Sequence, residues 1–147
     1  MKLSLPSDYA SVVSESTKAS GTIKGKTHTG SKLNITSGIK FSTGPESSDD
    51  STFAGFIMAV TPEDDAISFS FPYGLEDGSH LVKYPDFTED GSGYWSWTYG
   101  DKGKYENAYS GKLNITLSKS GNAAAGTFTF YSKDKKIIFE GSFDVQK

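Results

Sequence analysis

The amino-acid sequence predicts an all-β protein, an antiparallel β-sandwich or a flattened β-barrel of about eight to ten strands. Three observations lead there. Apolar residues recur at every second position in five separate segments. The stretches between them are clusters of Gly, Pro, Asp, Asn and Ser. Only one segment, close to the N terminus, carries a helical pattern. Side chains that change sides at each residue belong to an extended chain, and short runs of them separated by turns pack as antiparallel sheets.

In chain order, residues 7–18 come first. Ser7 or Asp8 could cap a short helix with Tyr9, Val12 and Val13 on one face. The Ser and Thr content of this stretch fits an N-terminal arm equally well. Residues 1–20 are therefore expected to be an arm or a short helix, and residues 21–147 a single β-sandwich domain. Alternation begins at Leu33, Ile35, Ile39 and Phe41, and returns at Ile67, Phe69 and Phe71. It continues through Tyr109, Leu113, Ile115 and Leu117, then Phe128 and Phe130, then Ile137, Phe139, Phe143 and Val145. Residues 53–60 (FAGFIMAV) are apolar on both parities, as in a central strand covered on both faces. The linking segments TGPESSDDS, TPEDD, GLEDGS, EDGSG, GDKG and SKSGN are turn chemistry. The pentapeptide KLNIT occurs at residues 32–36 and again at 112–116, which reads as two strands meeting the same demand.

With 147 residues the chain has the size of one domain, and its 10 Phe, 8 Tyr and 2 Trp must supply much of the core. The formal net charge of −3 lacks the basic footprint of a nucleic-acid binder. No cysteine is present, which removes disulfides, thiol nucleophiles and thiolate metal sites. No run is apolar enough for a transmembrane segment. Met1 opens a polar stretch without an apolar signal region. A cytoplasmic protein, one exported without an N-terminal signal, and one whose signal has been removed would read alike.

No catalytic constellation emerges, so the chain is expected not to be an enzyme. His28 and His80 stand in polar segments with no second imidazole at ligand spacing, and neither GxSxG nor a phosphate-cradling loop occurs. Acidic residues cluster at Asp49-Asp50, Glu63-Asp64-Asp65, Glu76-Asp77 and Asp86 to Asp90. These are the ordinary residues of solvated turns, and no cofactor is expected. Should calcium bind, Asp86, Glu89 and Asp90 are the first candidates, because hard cations take several oxygen ligands. The most suggestive constellation is YWSWTYGDKGKYENAY at 94–109, with Tyr94, Trp95, Trp97, Tyr99, Tyr105 and Tyr109. Trp95, Trp97 and Tyr99 share a parity and fit a core stripe, while Tyr94 and Tyr105 are open to either role. Exposed rings of this kind stack on sugars or settle at a membrane surface. Asn34 with Thr36 and Asn114 with Thr116 match the glycosylation sequon, and alternation alone turns all four outward.

Two resemblances follow from these segments. ISFSFPYGLEDGSHLVKYP from Ile67 and YSGKLNITLSKSGNAAAGTFTFYSKDKKIIFEGSFDV from Tyr109 resemble small bacterial β-proteins of unknown function, many of them lipoproteins. The shared pattern is Gly-x-Leu-x-Ile, Gly-Thr-Phe-x-Phe and Gly-x-Phe-x-Val over the C-terminal half, and it implies a fold without an activity. GFIMAVTPEDDAISFSFPYG is similar to paired strands of the actinoporin and fungal fruit-body lectin sandwiches. That likeness implies a lipid-headgroup or glycan surface built on aromatic residues. Together these readings point to a lectin-like, non-enzymatic binding module for a glycan-type ligand. The alternatives are a lipid-binding or membrane-active protein, and a module that binds a protein partner or assembles with itself.

Overall fold

The structure, a computed structural model, describes residues 2–3, 18–43, 55–72, 74–85 and 94–147. Among the described residues there is no helix, and the antiparallel sheet curls into a half-barrel, in accord with an all-β sandwich or flattened barrel. The strands are β1 (Lys2–Leu3), β2 (Lys18–Thr27), β3 (Lys32–Ile35), β4 (Ile39–Ser42), β5 (Gly55–Val60), β6 (Ala66–Phe71) and β7 (Gly78–Tyr84). They continue as β8 (Tyr94–Trp95), β9 (Thr98–Asp101), β10 (Lys104–Asn107), β11 (Ser110–Ser118), β12 (Ala123–Tyr131) and β13 (Ile137–Gln146). The main sheet runs β10-β9-β6-β5-β4-β2-β13-β12-β11-β7, with β3 also paired to β2. β1 and β8 form a separate parallel pair.

Among the described residues thirteen strands appear, more than expected, and one alternating segment is cut by a corner. The segment 33–41 breaks into β3 and β4 at Gly38, whose φ is +69°. A Cβ there would stand 2.5 Å from the carbonyl oxygen of Val60, so the corner admits only glycine. β2 holds the two parts together. Its first residues pair with β4 and Ile23 to Lys26 pair with β3, while its other edge pairs with β13. Residues 18–20, expected in the N-terminal arm, are thus strand. The candidate helix at 7–18 lies, apart from Lys18, outside the described residues.

The curl brings the halves together through rings. Phe69 of β6 meets Phe128 of β12 at 5.3 Å and Phe143 of β13 at 5.2 Å between centroids. Phe128 and Phe139 are 5.3 Å apart, and Phe130 stands edge-on to Phe139. Offset and edge-on geometries suit the ring quadrupoles, and the large apolar area of these rings supplies much of the core. β5 is buried on both faces as expected, with Ile57 and Ala59 inward and Phe56 and Met58 on the far side. On that far side β8 lies against β6, and Ser68 Oγ donates to the carbonyl of Ser96 at 2.7 Å.

Two details depart from simple alternation. Ile137, expected in the core, is 47 % exposed, and Ile138 is buried instead. A bulge explains it: Phe130 pairs with Phe139 but Tyr131 pairs with Ile137, which shifts the parity by one residue. Tyr109, expected to share the inward parity of β11, precedes that strand and is 61 % exposed.

Carboxylates fasten the turns. Asp77 accepts the backbone N–H groups of Ser120 and Gly121, each at 2.9 Å. These belong to the β11–β12 tip, where Lys119, Ser120 and Gly121 all have positive φ. Asp65 Oδ1 accepts the Lys102 N–H at 2.9 Å, and the Asp64 carbonyl accepts that of Gly103 at 2.9 Å. Two acidic clusters expected to be merely solvated therefore tie separate segments of the chain together.

At Gly111 an added Cβ would lie 2.4 Å from Cε3 and Cζ3 of the Trp97 indole, which is fully buried. Gly111→Ala is expected to cost about 1–3 kcal/mol and to lower Tm by about 5–10 °C, measured by thermal unfolding. An unchanged Tm would show that the indole can move aside.

Candidate functional site

The structure divides the aromatic segment 94–109 among three roles. Trp97 and Tyr99 belong to the core. The Trp97 indole stacks on Tyr84 at 5.1 Å with 12° between planes, and its N–H donates to the carbonyl of Ser70 at 3.0 Å. Tyr99 stacks on Phe139 at 4.5 Å, and its hydroxyl donates to Glu106 Oε2 at 2.5 Å. With exposures of 0 % and 3 %, neither ring can meet a ligand in this conformation.

Tyr105 has the second role. Its ring lies over Gly100, its direct partner across β9 and β10, and its hydroxyl donates to Asp64 Oδ1 at 2.8 Å. It ties one hairpin to another while remaining partly exposed. Tyr94 and Trp95 form β8, and their side chains lie outside the described residues, as do Asp86, Glu89 and Asp90. Among the described residues no group of three His, Asp or Glu could hold a metal ion. His28 Nδ1 is 3.2 Å from the Ile138 carbonyl and His80 Nε2 is 2.7 Å from that of Glu76. A carbonyl only accepts, so each of those ring nitrogens carries the proton.

Among the described residues of the six, Tyr109 reaches an open cavity. It lines a cleft of about 800 Å³ with Tyr131 and the lysines Lys83, Lys112, Lys133 and Lys135. All four lysines are exposed. Tyr109 is anchored where β11 begins, its N–H donating to the Tyr131 carbonyl at 2.9 Å. Lys133 and Lys135 come from the β12–β13 turn, which is closed by the Ser132 N–H on the Lys136 carbonyl and the Lys135 N–H on the Ser132 carbonyl. Lys112 stands directly opposite Lys83 across β11 and β7.

The cleft passes into the outward face of the sheet. One cross-strand row reads Lys83, Lys112, Thr129, Glu140, Lys26, Lys32. The next reads Leu81, Asn114, Thr127, Ser142, Lys24, Asn34, so both KLNIT copies place their Asn in one line. Asn34, Thr36, Asn114 and Thr116 are all exposed, as alternation implies. A shallower depression of about 610 Å³ lies on this face around Lys24, Lys26 and Lys32.

Tyr131 and the four lysines were not among the residues singled out in the sequence. Lys112 had a visible outward parity, but its neighbours depend on the β7–β11 and β12–β13 pairings. Among the described residues no helix is long and apolar enough to cross a membrane. Comparison of the chain with protein-family models, with curated proteins and with solved structures finds no match. The chemistry of the cleft is therefore read from its own residues.

Burial first, then the hydrogen bond to Glu106 and the negative charges of Glu106 and Asp101, push the Tyr99 phenol well above its ordinary value of 10.0. Burial and Asp64 push Tyr105 in the same direction. The folded chain thus holds protons that the unfolded chain releases above about pH 10, so this stability is complete below that pH and falls as pH rises further. Tyr99→Phe is expected to unfold at a somewhat lower urea midpoint near neutrality, losing about 1 kcal/mol with the hydrogen bond. Between about pH 9 and pH 11 its midpoint should decline less steeply than the parent's. Parallel declines would remove Tyr99 from the alkaline linkage.

Proposed function

We propose that this protein is a non-enzymatic binding module for a glycan-type ligand, held in the cleft of Tyr109 and Tyr131. The observation that carries this reading is the exposure of Tyr109, 61 %, at a cavity lined by a second tyrosine and by lysine donors. A pyranose presents C–H groups on its faces and hydroxyls at its rim. The electron-rich face of a tyrosine ring suits the first, and ammonium and phenol donors suit the second. A cleft of about 800 Å³ falls in the size range of small-ligand sites and is large enough for a short oligosaccharide.

The lipid-headgroup reading draws on the same residues, because tyrosine rings favour the boundary between water and acyl chains and lysines favour anionic headgroups. Vesicle co-sedimentation separates the two, since a protein that binds only glycans stays in the supernatant.

An immobilised-glycan screen followed by calorimetry on the positive probes tests the main reading. Tyr109→Ala should keep its fold and weaken binding by about tenfold. Tyr105→Ala removes a comparable ring from the β9–β10 hairpin and should leave affinity unchanged. Equal losses in the two variants, or none in Tyr109→Ala, would move the ligand away from this cleft.

A further inference from the structure

We infer that the glycan bound in this cleft is acidic, carrying carboxylate or sulfate groups. The inference rests on the glycan-binding reading and narrows it to a chemical class. Its basis is the kind of polar group the cavity offers. Apart from backbone, the polar side chains lining it are lysine, tyrosine and serine, with neither a carboxylate nor a side-chain amide among the described residues. Lysine donates hydrogen bonds and accepts none. Protein sites for neutral sugars need acceptors for hydroxyl protons as well as donors, and Asp, Asn, Glu and Gln ordinarily supply them. A cleft so dominated by donors matches a ligand that brings its own acceptors and its own negative charge.

The arrangement of charge agrees. Lys83 and Lys112 face each other across β7 and β11. Like charges directly opposite on a sheet repel, so the unliganded protein carries this pair at a cost. The other direct neighbour of Lys112 is Thr129, which offers no compensating charge. Glu140 stands one strand further on, opposite Lys26, and does not line the cleft. Lys133 and Lys135 add two more positive charges from the turn, offset in part by the exposed Asp134 between them, which does not line the cleft. In a chain of net charge −3 this is a local focus of positive potential, which draws anions. Lysine suits the task because its ammonium is a compact charge on a flexible stem, able to follow carboxylates or sulfates spaced along a saccharide.

Titration calorimetry with four probes tests this: oligogalacturonate, heparin-derived oligosaccharides, a chito-oligosaccharide of matching length, and vesicles of phosphatidylserine in phosphatidylcholine. One or both acidic saccharides should bind, and added salt should weaken them. Lys112→Thr should weaken that binding by about tenfold or more, whereas Lys112→Arg should retain it. Without ligand, Lys112→Thr should melt at or above the parent temperature, because the opposed pair is gone. That combination of weaker binding with undiminished stability is not what a damaged fold would show. Tight, salt-insensitive binding of the chito-oligosaccharide would overturn the acidic assignment and leave the glycan reading standing. Binding to vesicles alone, or to none of the probes, would end both. Unchanged affinity in Lys112→Thr would overturn the role given to the lysine pair.

Discussion

An antiparallel sheet can enclose a core on its own only by curling until one half faces the other, and here aromatic rings meeting across the curl hold it closed. Phe69 reaches Phe128 and Phe143 from the opposite half, while Trp97 stacks on Tyr84 of the terminal strand β7. Rings of this size leave no room for side chains beneath them. Gly111 lies under the Trp97 indole, Gly55 under Phe71 and Gly25 under Phe139. Large rings thus dictate the smallest residue at the positions they cover.

The same economy decides what is left for function. Tyr99 gives its ring to the core and its hydroxyl to Glu106, and Tyr105 gives both to the union of two hairpins. Tyr109 is released because it stands just ahead of β11, where Ala108 rather than Tyr109 turns inward. The cleft is then assembled from β7, the start of β11 and the β12–β13 turn, pieces that only the folded sheet makes neighbours. Its positive character is likewise a product of register, because Lys83 and Lys112 are 29 residues apart and meet only through antiparallel pairing.

Much of this fold could be read in advance wherever one strand supplied its own apolar face. β11, β12 and most of β13 obey the alternation that revealed them, whereas β6 turns its apolar parity inward yet is buried on both faces, Ser68 and Ser70 included. β2 escaped notice for a physical reason. Ile23 is its sole large apolar residue, and the Phe139 ring of the neighbouring strand covers Gly25. A strand whose hydrophobic surface is lent by its partner carries little pattern of its own. β7 was hidden similarly, since its first residues, Gly78-Ser79-His80, have turn chemistry. Of the aromatic cluster, burial of Trp97 agreed with the ordinary reading of a core stripe, and exposure of Tyr109 ran against its parity. The cluster of lysines around Tyr109 was illegible, because no single segment contains it.

The half-barrel leaves two borders. Among the described residues no strand pairs with the outer side of β7 or of β10. Unpaired backbone at such borders can template the addition of foreign chains, and evenly spaced charge is a common deterrent. β7 carries Lys83 on its outward face, and β10 carries Lys104 and Glu106. The ammonium group at Lys83 stands at this border as well as at the cleft. Evolution toward a less charged pocket would have to find another guard for that border before it could give this lysine up.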